Sequence, residues 1–320
     1  MKIIGAVDIG GTKIAVGAVD QDGAILARLE CPTATRNGFS AAMRSTKEML
    51  REVRRQVSSA YAGIGVACPG PLDPFTGIIG DVGTLPGWQG GNIVAELGRE
   101  FGVPIVVEND ADAAALAEAT WGRAVAGSAV TVAGSVLTKD SGCFLYVTIS
   151  TGIGAGMVLA GELYRGAGGA HPEMGHQVLD WSGPLCYCGS RGCWEGLASG
   201  PAMTAWMREQ RPAAGELTAE HICGLARRGD ELALRAVERE SRYIGLGLAN
   251  LITIFAPEVI VLGGGVMNSA DLFLDRVRQV VRETATQVPF AKTRIVSASL
   301  GPDTALAGAA MGWIHRCRQT

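Results

Sequence analysis

The sequence is poor in charge, and it lacks any long run of basic residues. Of its 320 residues, 18% are charged, and the formal net charge is −3. The longest basic runs are the pairs Arg54-Arg55 and Arg227-Arg228. Because a nucleic-acid-binding surface needs clustered Lys and Arg, we expect no nucleic-acid partner for this protein.

Long hydrophobic runs are also missing. The apolar run 3–7 is followed by Asp8 before a signal-peptide core could form. The uncharged stretch 124–138 is broken by Gly and Ser, and it is shorter than the roughly 18 apolar residues of a membrane-spanning helix. We therefore expect a cytoplasmic protein that has no membrane partner.

Apolar residues and glycine, in contrast, are plentiful. The chain is 48% hydrophobic and contains 45 glycines, which predicts a large core and many tight turns. A single core rarely grows beyond roughly 250–300 residues, so the length favours two domains. Strand-like runs alternate with helical patterns, and this alternation is typical of an α/β protein. The predicted elements of the first part include strands at 3–8, 14–19, 24–29, 62–67 and 105–107 and a helix at 111–121.

The pattern of the N-terminus returns in the middle of the chain. Residues 3–19 read as a strand, a glycine turn and a second strand, and residues 144–160 repeat this order. The repeat indicates a duplicated architecture with two related units. A chance resemblance between two glycine-linked hairpins is the alternative interpretation.

Three glycine-rich turns follow predicted strands and could bind phosphate groups. Glycine can adopt positive φ angles and leaves room for phosphate oxygens beside backbone N–H groups. In the first turn, Asp8 could orient a magnesium ion through water, and Thr12 could donate its hydroxyl group to a phosphate. Three such turns suit a nucleotide with several phosphates, although the first turn alone could be an ordinary hairpin. The candidate phosphate-binding residues are Asp8, Gly10, Gly11, Thr12, Lys13, Thr151, Gly152, Gly263, Gly264 and Gly265.

The block Glu108-Asn109-Asp110 lies between a predicted strand and a predicted helix. Asn and Asp are preferred at helix N-termini, so helix capping is one interpretation of this block. Phosphoryl transfer to a hydroxyl group also needs a carboxylate that accepts the proton of that group. We take Asp110 as the candidate catalytic base and Asn109 as a candidate ligand of sugar hydroxyls.

Three of the eight cysteines are packed into one segment. Cys186, Cys188 and Cys193 follow two histidines, His171 and His176. One imidazole and three thiolates close the tetrahedral shell of a structural zinc ion, whereas a catalytic zinc ion keeps a position open. The spacing predicts structural zinc with either histidine as the fourth ligand, and a zinc hydrolase is not expected. Three buried free cysteines are the alternative.

Together these motifs resemble those of the ROK family of bacterial sugar kinases and repressors. Members carry a phosphate motif like residues 8–13, a Glu-Asn-Asp block and a Cys-x-Cys-Gly-x-x-Gly-Cys zinc signature, and the match covers nearly the whole chain. The resemblance implies an actin-like, hexokinase-type α/β fold of two lobes, with ATP and sugar in the cleft between them. Thr84 departs from the pattern, because many members have Asn before Leu-Pro-x-Trp.

The resemblance also implies roles for individual residues, with Asp110 as the catalytic base. The implied ligands of the sugar hydroxyls are Asn109, Glu173, His176 and Glu195. The implied zinc ligands are His176, Cys186, Cys188 and Cys193. The expected smaller lobe is residues 1–121 with the C-terminal helix at about 303–320, and the expected larger lobe is residues 122–302.

The implied reaction is ATP-dependent phosphorylation of the primary hydroxyl of a hexose, with glucose as the first candidate substrate. We expect Mg²⁺ with ATP, Zn²⁺ as a structural ion, and a homodimer or higher homo-oligomer. N-acetylmannosamine, N-acetylglucosamine and fructose are alternative substrates. The family's regulators place a helix-turn-helix domain ahead of the phosphate motif. Here that motif starts at Asp8, so we expect no such domain. A non-catalytic sugar sensor is the less favoured hypothesis, because Asp110 and the phosphate turns are intact.

Overall fold

The computed structural model describes residues 2–33, 35–122, 142–212, 215, 217–288 and 290–319. The strands are β1 (Ile3–Ile9), β2 (Lys13–Val19), β3 (Ile25–Pro32), β4 (Tyr61–Cys68), β5 (Ile105–Asn109), β6 (Cys143–Ile149), β7 (Ile153–Leu159), β8 (Glu162–Leu163), β9 (Val259–Gly263) and β10 (Arg294–Ser297). The helices are α1 (Gly38–Val57), α2 (Ile93–Phe101), α3 (Asp110–Trp121), α4 (Trp194–Ala198), α5 (Gly200–Gln210), α6 (Ala219–Arg227), α7 (Glu231–Phe255), α8 (Ala270–Thr284) and α9 (Thr304–Gln319).

Among the described residues, none of these helices is both long enough and apolar enough to cross a membrane. The uncharged stretch 124–138, considered above for its hydrophobicity, lies outside the described residues.

The first sheet has five strands in the order β3-β2-β1-β4-β5. β1 pairs antiparallel with β2 and parallel with β4, and β4 pairs parallel with β5. In this register Asp8 lies opposite Ala67, and Ala67 lies opposite Glu108. The carboxyl ends of three parallel strands therefore meet at one edge of the sheet, where open α/β sheets bind their ligands.

The second sheet repeats this order with later strands, as β8-β7-β6-β9-β10. β9 pairs parallel with both β6 and β10, so its neighbours match those of β4 in the first sheet. Most of these strands are buried apolar runs, which is typical of strands covered on both faces. The shared order confirms the predicted α/β class and the predicted duplication.

The described residues form two compact units. The first unit takes its residues from 1–138, 156–172 and 299–320, and the second takes its residues from 139–155 and 173–298. The stretch 156–172, which the sequence analysis assigned to the larger lobe, groups with the first unit. The C-terminal helix α9 also belongs to the first unit, where it packs on β4 and α3.

Helix α3 is buried by close packing inside the first unit. All ten residues from Ala111 to Thr120 are buried. A β-carbon at Gly308 of α9 would overlap the carbonyl oxygen of Ala113, and one at Gly65 of β4 would overlap that of Ala309. The alanines of α3 and these glycines therefore allow α3, α9 and β4 to approach more closely than larger side chains would permit.

We expect Gly308→Ala to destabilise the protein by about 1–3 kcal/mol, because the added methyl group meets backbone rather than a flexible side chain. Urea-induced unfolding measures the change. Gly98→Ala in α2 is the matched control, because its β-carbon would lie 3.8 Å from Ile105 Cγ1. Alanine is the better helix former, so the control should gain up to about 1 kcal/mol. Equal stability of the two variants would contradict the packing argument.

Candidate active site

The first glycine turn joins β1 to β2 and is fixed from two sides. The N–H of Gly10 donates to the carbonyl of Lys13 at 2.9 Å, and Thr33 hydrogen-bonds both to the Thr12 carbonyl and to the Gly10 carbonyl. A β-carbon at Gly11 would lie 3.1 Å from Thr84. Thr12 and Lys13 are exposed, so both side chains can reach a ligand in solvent.

The predicted reason for glycine in this turn was partly wrong. Neither Gly10 nor Gly11 has a positive φ angle in the structure. Gly11 instead lacks a side chain because Thr84 lies close against it, whereas Gly264 of the third turn does have a φ of 89°. Room for a neighbouring group explains the first turn, and backbone freedom explains the third.

Asp8 lies near the carboxyl end of β1, close enough to Asp110 at the β5–α3 junction for the two charges to interact. Loss of solvent, together with repulsion from the Asp110 carboxylate, raises the pKa of Asp8 to about 7. Lys13 opposes this rise. A carboxyl group with a raised pKa next to a second carboxylate indicates a place that favours an added cation.

The junction of β5 and α3 supports both interpretations of its polar residues. Asn109 is buried, and its side-chain oxygen accepts the N–H groups of Ala111 at 2.8 Å and Asp112 at 3.4 Å. Asn109 is therefore the N-cap of α3, as the capping interpretation predicted. Asp110 is the first residue of the helix and is only partly buried, and one of its carboxylate oxygens accepts the N–H of Ala111.

The second and third glycine turns meet inside the second unit. The N–H of Ser150 donates to Gly152 at 2.8 Å, and Thr151 is exposed. A β-carbon at Gly264 would crowd the backbone of Ile149, and one at Gly265 would lie 3.5 Å from Ser150 Oγ. The register of β6 and β9 explains this proximity, because Thr148 lies opposite Gly263.

Glu195 is tied to the second glycine turn. Its Oε2 atom accepts the N–H of Ile153 at 2.8 Å. A β-carbon at Gly152 would overlap the same carboxylate oxygen. Glycine at this position therefore allows Glu195, on the short helix α4, to reach the turn.

Glu173 and His176 lie in one 3₁₀ turn of the second unit. The N–H of His176 donates to the Glu173 carbonyl at 3.0 Å. His176 Nε2 lies 3.0 Å from the hydroxyl of Tyr187, and the two rings meet edge to face with centroids 5.1 Å apart. Desolvation first, and the carboxylates of Glu195 and Glu173 next, raise the pKa of Tyr187 to about 12. The structure thus groups Glu173, His176 and Glu195 around a tyrosine that the sequence analysis missed.

Four side chains of the second unit form a group that can hold a metal ion, with ligand atoms all within 4.8 Å of one another. They are His176, Cys186, Cys188 and Cys193. His176 Nδ1 lies 3.5 Å from Cys186 Sγ, and the sulfurs of Cys188 and Cys193 lie 3.6 Å apart. A tetrahedral zinc ion with Zn–S bonds of about 2.3 Å places its sulfurs about 3.7 Å apart, so the donor set fits zinc.

The backbone around these cysteines is shaped for the same cluster. The N–H of Cys186 donates to Ser190 at 2.8 Å, and Gly189 closes the turn with a φ of 93°. Hydrogen bonding from the Ser190 N–H is the main cause that lowers the pKa of the Cys188 thiol. N–H donors directed at sulfur favour the thiolate form that binds metal.

These positions favour His176 over His171 as the candidate metal ligand. His176 joins the cysteine cluster, whereas His171 Nδ1 lies 2.9 Å from Asp112 Oδ2 in the first unit. His171 therefore lies apart from the group that could hold a metal ion.

Several ion pairs near the candidate base were also missed by the sequence analysis. Glu108 pairs with Arg165 and Arg316. Asp112, four positions after Glu108, pairs with His171. Their partners are separated by at least 57 positions, so no local pattern could have predicted them.

The comparisons with known proteins agree over almost the full length. The ROK family model matches residues 4–316. The chain is 33% identical to a glucokinase of Thermotoga maritima, covering 97% of this chain and 96% of that protein. The crystal structure of a ROK hexokinase from Thermus thermophilus is 33% identical, with a TM-score of 0.80, covering 99% of this chain and 100% of the other.

A ROK family glucokinase from Streptomyces griseus, solved in complex with glucose and AMPPNP, is 29% identical. It matches with a TM-score of 0.81 and covers 96% of this chain and 98% of its own. Sequence and fold therefore point to the same group of proteins. The chain belongs to the ROK family and has the actin-like, hexokinase-type α/β fold.

Proposed function

We propose that the protein transfers the γ-phosphoryl group of Mg·ATP to the primary hydroxyl of a hexose, with glucose as the first substrate to test. The observation that carries this proposal is the likeness, over nearly the whole chain, to an enzyme solved with glucose and an ATP analogue. A relative named as a glucokinase, 33% identical over 97% of this chain, supports it. A cytoplasmic location and a homodimer or higher homo-oligomer also belong to the proposal.

Asp110 is the proposed general base. The hexose hydroxyl attacks the γ-phosphorus, its proton passes to the Asp110 carboxylate, and ADP leaves with the electrons of the broken P–O bond. Its place as the first residue of α3, at the carboxyl edge of the first sheet, supports this role.

The glycine turns and Asp8 are proposed to bind Mg·ATP. The exposed side chains of Thr12, Lys13 and Thr151 suit contacts to phosphate oxygens. Ionised Asp8 would hold the hydrated magnesium ion that arrives with the nucleotide. The carboxylate of Asp110 beside it favours a bound cation.

Asn109, Glu173, His176 and Glu195 are the proposed ligands of the sugar hydroxyls. Carboxylates, an amide and an imidazole together offer both donors and acceptors, as a hexose requires. His176 is also a proposed zinc ligand, because its Nδ1 atom faces the cysteine cluster while its Nε2 atom faces Tyr187.

We further propose that Zn²⁺ is bound by His176, Cys186, Cys188 and Cys193 in a structural site. Four protein ligands would leave no position for a metal-bound water, so the ion would fix the segment and take no part in phosphoryl transfer. The predicted division into a smaller and a larger lobe is also part of the proposal.

Asp110→Asn should lower kcat by at least about 100-fold, because the amide cannot accept the hydroxyl proton. Its Kd for glucose, measured by calorimetry, should change little. A coupled ADP-release assay across hexoses and N-acetylhexosamines measures turnover and identifies the preferred sugar. Asp22→Asn, in an exposed turn, is the control. Unchanged turnover in Asp110→Asn would remove Asp110 as the base, and the absence of turnover by the wild type on any sugar would favour the sensor.

The raised pKa of Asp8 predicts a pH dependence of stability. This carboxyl group titrates at 3.8 when unperturbed and at about 7 in the fold. Between these values the folded chain holds a proton that the unfolded chain has released, so the free energy of unfolding falls as the pH rises. Asp8→Asn should therefore become progressively more stable than the wild type from about pH 4 to pH 8. Thermal unfolding measures this difference, and a difference that stays constant across the pH range would contradict the expectation.

Removal of the proposed zinc ion should destabilise the second unit. The purified protein should contain about one zinc per chain by elemental analysis, and Cys188→Ser should lower both the zinc content and the midpoint of thermal unfolding. Cys317→Ser is the control, because Cys317 is an exposed cysteine outside the cluster. A purified wild type that contains no zinc, or a Cys188→Ser variant with the zinc content and thermal midpoint of the wild type, would overturn the zinc assignment.

A further inference from the structure

A short loop of the first unit, residues 165–171, is closed by its own backbone. The N–H of His171 donates to the Arg165 carbonyl at 2.8 Å. Four of its residues have left-handed φ angles between 49° and 82°: Gly166, Gly168, Gly169 and His171. Three of these are glycines, which adopt such angles without cost, and His171 is the exception. The loop therefore has a defined shape with Arg165 and His171 side by side at its base.

Arg165 binds the end of β5. Its guanidinium group donates two hydrogen bonds to the Glu108 carboxylate, at 2.9 and 2.6 Å. Arg316 of α9 donates a third at 3.1 Å. Glu108 is 1% exposed, so its charge depends on these partners rather than on water.

His171 binds the first turn of α3. Its Nδ1 atom lies 2.9 Å from Asp112 Oδ2, and the Asp112 side chain is 3% exposed. The second carboxylate oxygen of Asp112 is buried without a hydrogen-bond partner. Burial raises the pKa of Asp112, and the bond to His171 opposes that rise. His171 is therefore the group that compensates this buried carboxyl.

The backbone of His171 argues that its side chain is needed. A φ of 49° is unfavourable for a residue with a β-carbon, and glycine would remove this strain. The strained conformation is compatible with a stable fold because the imidazole gains a buried bond to Asp112. A residue kept under strain for its side chain is a candidate for a functional role.

The two acidic partners lie on either side of Asp110, each two positions away. Glu108 belongs to β5 and Asp112 to α3, so the loop holds both elements that meet at Asp110. We propose that Arg165 and His171 form a two-point clamp that positions Asp110 for proton transfer. The two residues are positioning residues, because they act through Glu108 and Asp112. This inference rests on the proposed function, in which Asp110 is the base.

The test uses two substitutions of His171 in the full-length protein. His171→Gly removes the imidazole and relieves the backbone strain. His171→Asn is the matched control, because its amide nitrogen can occupy the place of Nδ1 and Asn tolerates left-handed φ angles. His171→Gly should lower kcat about 10- to 100-fold, with the KM for Mg·ATP changed less than about twofold. His171→Asn should retain most of the wild-type kcat.

Combining His171→Gly with Asp112→Asn separates positioning from stability. Asp112→Asn replaces the buried carboxyl that lost its partner with a neutral amide. The thermal midpoint of the double variant should therefore return most of the way from that of His171→Gly to that of the wild type. The clamp stays broken in the double variant, so kcat should remain low. Recovery of kcat together with the thermal midpoint would overturn the proposal, and so would a wild-type kcat in His171→Gly alone.

Hydrogen exchange tests the clamp independently of turnover. His171→Gly should speed amide exchange in a peptide that covers residues 109–113, and His171→Asn should not. Unchanged exchange in His171→Gly would overturn the clamp even in an active enzyme. If the wild type phosphorylates no sugar, the proposed function fails, while faster exchange in His171→Gly would still support a clamp at this junction.

Discussion

The close packing of helix α3 is the constraint on which the first unit depends. A helix buried along residues 111–120 needs small side chains, and the two carboxyl groups it buries, those of Asp112 and Glu118, need partners. Glu118 accepts the N–H groups of Ser299 and Leu300, and so holds the chain just before α9. Asp110 is the first residue of α3, so the packing of this helix sets where the candidate base lies.

Residues 173–195 of the second unit, unlike helix α3, are not held mainly by apolar packing. Large apolar side chains in this segment face solvent, with Trp181 82% and Tyr187 79% exposed, so apolar burial cannot supply most of its stability. The cysteine cluster offers the missing constraint, since four ligands of one ion can hold a loop that has little core of its own. The same segment carries Glu173, His176 and Glu195, which links the proposed metal to the proposed sugar site.

The sequence predicted what is local or periodic. The bounds of α3 and β2 agree within one residue with the predicted ranges 111–121 and 14–19. The repeated strand-turn-strand pattern predicted a duplicated architecture, and the two sheets share one strand order. Spacing alone did not choose the fourth candidate metal ligand, because His171 and His176 both lie before the cysteines at plausible spacings; only the family resemblance named His176. The ion pairs of Glu108 and Asp112 could not be predicted either, because they form only when residues 156–172 pack within the first unit.

The carboxyl groups at the carboxyl edge of the first sheet differ in how their charges are compensated. Glu108 and Asp112 are compensated inside the protein, by Arg165 with Arg316 and by His171. The strongest charge effect on Asp8 comes instead from Asp110, and it is repulsive. Two carboxyl groups that repel each other, one of which has compensated neighbours on both sides in the chain, favour the arrival of a cation from solution. The flanking pairs would thus confine the response to Mg·ATP to Asp8 and Asp110, where the proposed chemistry needs it.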